Sequence, residues 1–580
     1  MDVLPPAVQD TTAEAKASEQ LSSQALDALV HAAEARATFG LSPVALGLAF
    51  LDWGIHLANA PFRQLELAHS AIRQLDRLLE AVAGRTVILP APDDHRFKAA
   101  EWRALPFNLI EQTFLLVEEW WGSAASAPAG TARTNDRIVS FAARQWIDLF
   151  SPSNVPWLNP EVIDATINTC GRNLLRGTVN WLDDAGEALG GSPASGEFVI
   201  GENLAATPGK VVLRNELMEL IQYAPTTPLV RREPILIVPA WIMKYYILDL
   251  SPHNSLIRWL VSQGHTVFAI SWHNPGAEMH EASLEDYRTK GVLASLDAVE
   301  AICGGAPTHA VGYCLGGTLL SIAAAAMARD GDQRLASATL FAAQTDFTEA
   351  GELQLFITED QLDFLDDLMG VQGYLDTRQM AGAFGMLRSN DLIWSRLIRQ
   401  YLLGEREHPS DLMAWNADGT RMPARMHSEY LHRLFQDNEL AEGHFTAGGK
   451  PVSMGDIRVP LFAVGTETDH IAPWRSVYKL HLQNDGDLTF VLTSGGHNAG
   501  VVSEPGHPHR HYRIHRRQRE APYLGPDDWM AQAELHEGSW WPAWQAWLTA
   551  HSGERITPPG LGNGQFPSLD AAPGRYVHEH

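Results

Sequence analysis

The sequence predicts an α/β protein: a mostly parallel sheet with helices on both faces and a large helical insertion, preceded by a mostly helical domain. Three observations lead to this reading. Beyond residue 196, six short β-rich runs, "PILIVPAW", "HTVFAISW", "HAVGY", "ASATLFAA", "VPLFAVG" and "DLTFVLT", alternate with helical stretches, the pattern of parallel strands joined by crossover helices. From about residue 20 to 185 helical periodicity dominates, as in "NLIEQTFLLVEEWW", where apolar residues recur three and four apart. Between the fourth and fifth runs, residues 347–450 make a connection far longer than the few residues that usually join two elements.

In chain order, residues 1–25 are expected to be a flexible tail, because "MDVLPPAVQDTTAEAKASEQ" lacks the basic and apolar regions of a signal peptide. Residues 26–195 form the helical domain. Its most apolar stretch, "LSPVALGLAFLDWGIHLA", contains Pro43, Asp52 and His56 and falls short of a membrane span. The Gly/Ser/Pro-rich "AGEALGGSPASGEF" (185–198) marks the boundary. Residues 196–580 then form the α/β domain, with 347–450 as a lid. The Pro/Gly-rich end, "SGERITPPGLGNGQFPSLDAAPGRYVHEH", is either wrapped on the surface or disordered.

The formal net charge of −26, from 43 Lys and Arg against 69 Asp and Glu, argues against nucleic acid or an anionic membrane as partner. Three cysteines, Cys170, Cys303 and Cys314, are too few for a disulfide framework and lack zinc-site spacing, which fits a reducing cytoplasm. No metal is expected.

"HAVGYCLGGTLL" (309–320) has the spacing of a nucleophile elbow with Cys314 where serine is usual. A strand-to-helix turn exposes the nucleophile above the sheet, and the helix N-terminus favours thiolate. Cys170 and Cys303 lack such a setting and are read as buried structural thiols. Asp469 follows "VPLFAVG" and His497 follows "DLTFVLT". Cys, Asp, His is the order of triads in the α/β-hydrolase fold, so the fold class is an α/β-hydrolase domain with a helical lid. In that reading His497 takes the thiol proton and Asp469 orients the imidazole. Asp346, after "LFAAQT", is the reserve acid.

Together the elbow "GYCLGG", "VPAWIMKYYILDL" (238–250), "QGHTVFAISWHNP" (263–275), "NDLIW" (390–394), "AWNADGT" with Pro423, "TDHIAPW" (468–474), "SGGHNAGVV" and "GSWWPAW" (538–544) resemble the poly(3-hydroxyalkanoate) synthases of the single-subunit, short-chain class. "SPSNVPWLNPEV" (151–162) and "PGRYV" extend the likeness, which covers about residue 140 to the C-terminus. The resemblance implies joining of (R)-3-hydroxyacyl units from coenzyme A thioesters into a polyester, with coenzyme A as part of the substrate and no cofactor. It also implies a cytoplasmic homodimer at the surface of polymer granules, among granule-associated proteins. A thiol suits that chemistry, because exchange of one thioester for another keeps the acyl group activated, whereas serine would drop it to an oxygen ester.

The oxyanion needs N–H donors. Elbow geometry supplies Leu315, and the loop after "PILIVPAW" supplies Trp241, since Pro239 has no N–H. Here Ala240 and Met243 depart from the family's Pro-Pro-Trp-Ile-Asn, and Asn498 replaces a more usual aliphatic residue beside His497. His470 is read as support beside the acid, and Trp415 as lining the covered pocket, supporting the lid, or an ordinary core aromatic. The basic run "HPHRHYRIHRRQR" (507–519) either holds coenzyme A phosphates through Arg510, Arg513, Arg516 and Arg517 or is a solvated surface loop. Two rival functions stand beside the synthase: a Cys-nucleophile esterase or polyester depolymerase of the same fold, and a non-catalytic granule scaffold.

Overall fold

The structure, a computed structural model, describes residues 23–38, 40–91, 94–126, 128–188, 197–380, 382, 393–406 and 408–580. Most of the expected N-terminal tail, the core of the break at the domain boundary and the first three residues of "NDLIW" lie outside these residues.

Helices α1 (Ser23–Ala37), α2 (Pro43–Ala58), α3 (Pro61–Val82), α4 (Phe107–Ala125), α5 (Arg133–Leu149), α6 (Pro160–Asn168) and α7 (Arg172–Ala188) make up the N-terminal region. Proline at the first position starts α2, α3 and α6, and Ser42 caps α2 by accepting the Ala45 N–H, so the helix starts are written locally.

Ten strands form one sheet: β1 (Gly209–Arg214), β2 (Met218–Tyr223), β3 (Ile235–Val238), β4 (Val267–Trp272), β5 (Thr308–Tyr313), β6 (Leu335–Phe341), β7 (Leu461–Thr466), β8 (Leu488–Thr493), β9 (His511–Arg517) and β10 (Glu534–Glu537). Their order is β1-β2-β4-β3-β5-β6-β7-β8-β9-β10. The six strands expected from the sequence, β3 to β8, are the parallel centre. They are apolar runs because helices cover both faces and almost every residue is buried. The antiparallel edges, β1 and β2 on one side and β9 and β10 on the other, were not expected. In particular the basic run is not a loop: residues 511–517 are β9, paired with β8 from Leu488↔Arg517 to Thr493↔Tyr512.

Further helices are α8 (Leu256–Ser262), α9 (Ala294–Ile302), α10 (Leu315–Asp330), α11 (Glu359–Gln372), α12 (Asp411–Asn416), α13 (Ala424–Tyr430), α14 (Trp474–Tyr478), α15 (Leu480–Gln483), α16 (Pro526–Gln532) and α17 (Trp541–Ala550). Helix α10 is buried from Leu315 to Met327; its Ala323–Ala326 run lets it lie close to the sheet, and Gly331 in the left-handed region ends it. The two apolar clusters on opposite sides of the sheet form the core.

The insertion between β6 and β7 is helical as expected and carries α11, α12 and α13. It does not stand apart from the N-terminal helices. His31 Nδ1 lies 2.6 Å from Asp367 Oδ2, Ala32 and Ala35 are buried, and the Gln361 amide joins the Ser42 N–H and the Gly40 carbonyl. From α7, Asn173 donates to the Leu402 carbonyl (2.8 Å) and Asn180 to the Gln400 carbonyl (2.9 Å). N-terminal region and insertion thus share one helical layer.

The C-terminal segment is ordered against the surface. The Val211 N–H donates to the Asp570 carbonyl (3.0 Å), the Leu569 N–H to Val211 (2.7 Å) and the Ala572 N–H to Gly209 (3.0 Å), so the chain end lies along β1. Farther on, Lys244 Nζ, buried in the loop after β3, donates to the carbonyls of Tyr576 (3.1 Å) and Glu579 (2.6 Å). Among the described residues no helix is long and apolar enough to cross a membrane.

Candidate active site

Cys314 stands between β5 and α10 with φ 52° and ψ −123°, a conformation that costs about 1–3 kcal/mol and persists only where its surroundings enforce it. They do: the Cys314 N–H donates to the Phe341 carbonyl (2.9 Å), and the Cys314 carbonyl accepts from Gly317 (2.9 Å) and Thr318 (3.2 Å). A Cβ on Gly312 would lie 2.3 Å from Gly317 Cα, and one on Gly316 2.2 Å from the Val238 carbonyl oxygen and 2.5 Å from Pro239 C. Backbone meets backbone here, with nothing flexible to yield. Gly316→Ala is expected to destabilise the protein by ~3 kcal/mol, read as a fall in the thermal midpoint together with lost activity; an unchanged midpoint would refute the tight elbow.

Asp469 lies three residues past β7 and His497 four past β8, so all three groups come from the carboxyl ends of parallel strands of one sheet, β5, β7 and β8, where such sheets place their sites. His497 Nδ1 is 2.7 Å from Asp469 Oδ2. Asp469 also accepts from Thr466 Oγ1 (2.8 Å) and from the N–H groups of Ile471 (2.9 Å) and Ala472 (2.8 Å). Burial opposes the Asp469 charge, but the His497 ring and these donors hold its carboxyl below the usual carboxylate range. Burial likewise opposes the His497 charge, and the Asp469 carboxylate and the Cys314 thiol overcome it, holding the imidazole well above the usual histidine range. The structure thus brings Cys314, His497 and Asp469 together. Asp346, the reserve acid, is instead turned to Thr348 (2.9 Å to its N–H) and Lys479 (3.6 Å).

The loop after β3 abuts the elbow through Gly316. Among the described residues, neither the Leu315 nor the Trp241 backbone N–H is bonded to a backbone carbonyl outside its own element. Ala240 and Met243 do not loosen this loop, because the insertion between β6 and β7 holds it. Thr420 donates to the Trp241 carbonyl (2.6 Å), Trp415 Nε1 to the Lys244 carbonyl (2.7 Å), and Tyr246 to Asp418 (2.9 Å). Trp415 is therefore a buried support tying lid to loop. His470 is half-buried on the acid loop, its carbonyl backed by Gly351.

Sequence reasoning missed two residues. Tyr430 of α13 is buried with its ring 6.3 Å from Trp241, and burial, with the charge of Cys314, holds its hydroxyl well above the usual tyrosine range. Tyr313 donates to Asn498 Oδ1 and packs 5.6 Å from the His497 ring; the departure at Asn498, visible in the sequence, was the available signal. Tyr313→Phe removes that bond, and with a hydrogen bond worth about 1 kcal/mol activity is expected to fall roughly fivefold with an unchanged fold, seen as a lower kcat at similar KM. The basic run needs a correction. Arg510 grips the His497 loop, donating to the carbonyls of Ala499 (2.7 Å) and Ser494 (3.3 Å). Arg513 donates to Ala533 (3.1 Å), Arg516 pairs with Asp487, and Arg517 is spent on the carbonyls of His481 (2.6 Å), Asn484 and Gly486. The register sets Arg516 and Arg517 beside the start of β8, at the opposite end of that strand from His497. Arg516 and Arg517 are therefore no phosphate grip at the nucleophile. The reading of both spare thiols as buried also fails for one of them: Cys170, at a positive-φ turn after α6, is exposed, whereas Cys303 is half-buried and its thiol is pushed up to about 12 by burial.

Residues 93–260 match the family described as poly-beta-hydroxybutyrate polymerase (PhaC) N-terminus, residues 22–63 the poly-beta-hydroxybutyrate polymerase N-terminal family, and residues 233–503 the alpha/beta hydrolase fold. The chain is 42% identical over 510 residues to a poly(3-hydroxyalkanoate) polymerase of Methylorubrum extorquens, covering 87% of this chain and 83% of that one. The chain belongs to the poly(3-hydroxyalkanoate) polymerases. A further member, the poly(3-hydroxyalkanoate) polymerase subunit PhaC of Cupriavidus necator, is 35% identical over 542 residues, covering 92% of this chain and 91% of that one. Poly(3-hydroxyalkanoate) polymerases are acyltransferases, and the α/β-hydrolase domain of this one carries the Cys-His-Asp cluster. Among solved structures, the monoacylglycerol lipase of Paleococcus ferrophilus is similar at a TM-score of 0.31 with 12% identity, covering 58% of this chain and 99% of that one.

Proposed function

We propose that the protein polymerises (R)-3-hydroxyacyl units, 3-hydroxybutyryl in the first place, from their coenzyme A thioesters into polyhydroxyalkanoate through an acyl-Cys314 intermediate. The observation that carries this reading is a cysteine, rather than a serine, on the elbow facing the His497–Asp469 pair in a polymerase chain. The Cys314 proton passes to His497 and the thiolate attacks the substrate carbonyl. The oxyanion is met by the Leu315 and Trp241 N–H groups, the carbon–sulfur bond to coenzyme A breaks, and His497 returns the proton to the departing thiolate. In the second half, His497 takes the proton of a 3-hydroxyl and the alkoxide attacks the acyl-Cys314 carbonyl. A carbon–oxygen ester bond forms, and the Cys314 thiolate leaves and is reprotonated.

A hydroxyl rather than water as acceptor is favoured by the apolar, buried side chains beside the nucleophile, Tyr430 of α13 and Trp241 among them, since a site that excludes water disfavours hydrolysis. A homodimer at a polymer granule in the cytoplasm completes the reading. Exposed Leu175, Val179, Trp181 and Leu182 on α7 are the kind of apolar surface a polyester would cover.

Incubation with (R)-3-hydroxybutyryl-coenzyme A tests the proposal. Polymer with matching free thiol is expected; thiol with free 3-hydroxybutyrate would make the protein a hydrolase, and no thiol at all would make it a granule scaffold.

A further inference from the structure

A cavity of about 320 Å³ opens at the far end of β8 and β9 from Cys314, within the size range of small-molecule sites. Its wall includes His481 of α15, His515, Arg516 and Arg517 of β9, and Trp529 of α16. Four of their nitrogens, His481 Nε2, His515 Nδ1, Arg517 Nε and Trp529 Nε1, are buried without a hydrogen-bond partner. His481, Arg517 and Trp529 are each more than nine-tenths buried, so these are groups whose desolvation ordinarily demands a partner. They are also fixed in place. Arg517 is clamped by the carbonyls of His481, Asn484 and Gly486, the His481 ring packs 4.3 Å from that of Tyr478, and Trp529 packs 5.1 Å from Phe490.

The wall carries no carboxylate, in a protein of net charge −26, and the nearby Asp487 is engaged by Arg516. Burial above all, helped by the neighbouring Arg517 and His515, pushes His481 down to about 3. Pro522 and Leu524 complete the wall with apolar surface.

We propose that this cavity binds a small oxyanion, a carboxylate or phosphate on a compact apolar body, at a site separate from acylation. The anion lies against the wall built by His481, His515, Arg517 and Trp529, whose unpartnered nitrogens are buried just behind it, and its apolar part lies against Pro522 and Leu524. The inference does not rest on the polymerase chemistry.

Calorimetric titration of the full-length protein with inorganic phosphate and, separately, with 3-hydroxybutyrate tests it without any thioester present. Saturable binding of at least one probe is expected, weakened about tenfold or more by His515→Glu and by Gln518→Glu, each of which adds a carboxylate to the wall. Gln518 is exposed, so its variant decides the matter even where His515→Glu fails to fold. Saturation by phosphate alone assigns a phosphate ligand, by the hydroxy acid alone a carboxylate. Absence of saturable heat with both probes, or affinities unchanged in a folded Gln518→Glu protein, would overturn the site.

Discussion

Cys314→Ala is expected to lower coenzyme A release from (R)-3-hydroxybutyryl-coenzyme A by ~10⁴-fold or more while leaving the fold intact. The elbow's shape is set by Gly312, Gly316 and the Phe341 carbonyl rather than by the thiol, so alanine removes the nucleophile alone. Cys314→Ser should also fold and be severely slowed, because His497 must then deprotonate a far weaker acid. Cys303→Ala and Cys170→Ala should retain activity. Exposed Cys170 will react with thiol reagents in the wild type, so acyl labelling belongs in a Cys170→Ala background. Retention of acyl label by Cys314→Ala in that background would show that another group is the nucleophile.

His497→Gln should stop acylation itself, and Asp469→Asn should cost ~10²–10⁴-fold by removing the partner that fixes the imidazole. Rapid-quench comparison of coenzyme A release with polymer formation separates their roles. Equal losses of both steps in Asp469→Asn make the acid a positioning residue, whereas a larger loss in elongation points to the hydroxyl step. The pair also has a signature in stability. His497, held above its usual value, contributes stability that is fully present below about pH 6.5 and is lost as pH rises through its raised value. Asp469, held low, contributes above about pH 4 and loses its share as pH falls through its lowered value. The difference in thermal midpoint between wild type and His497→Gln should therefore be largest between these limits. A difference independent of pH would mean that the two groups do not interact as an ion pair.

The parallel centre was legible because strands β3 to β8 are buried on both faces, and nothing but a continuous apolar run satisfies that position. The site was legible because its members follow strand ends in order. The edge strands were not. In β9, Tyr512 and Ile514 alternate with His511, Arg513 and His515, a weak two-residue period hidden by the charge that drew attention to the segment as a basic loop. The same charge suggested a phosphate grip, but the two terminal nitrogens of a guanidinium can be engaged by carbonyls brought near only by folding, as those of Arg510 and Arg517 are. The packing of α1 and α7 against the insertion was equally hidden, since each helix shows that it has an apolar face but not which distant segment covers it.

The chain end lying along β1 has a consequence for how the protein is made. Arg214 on β1 and its ion-pair partner Asp570 are separated by 356 residues, and the Val211 and Asp570 backbones join at the same edge. Chains are synthesised from the N-terminus and fold as segments emerge, so the first strand translated must wait with its outer edge bare while the central strands, lid and catalytic loops leave the ribosome. Lys244, beside the loop that presents Trp241, waits for Tyr576 and Glu579 in the same way. Completion of the nascent sheet thereby waits for residues 569–579, and a ribosome-stalled chain ending before residue 569 would hold Cys314 and its partners without the strap that closes their domain.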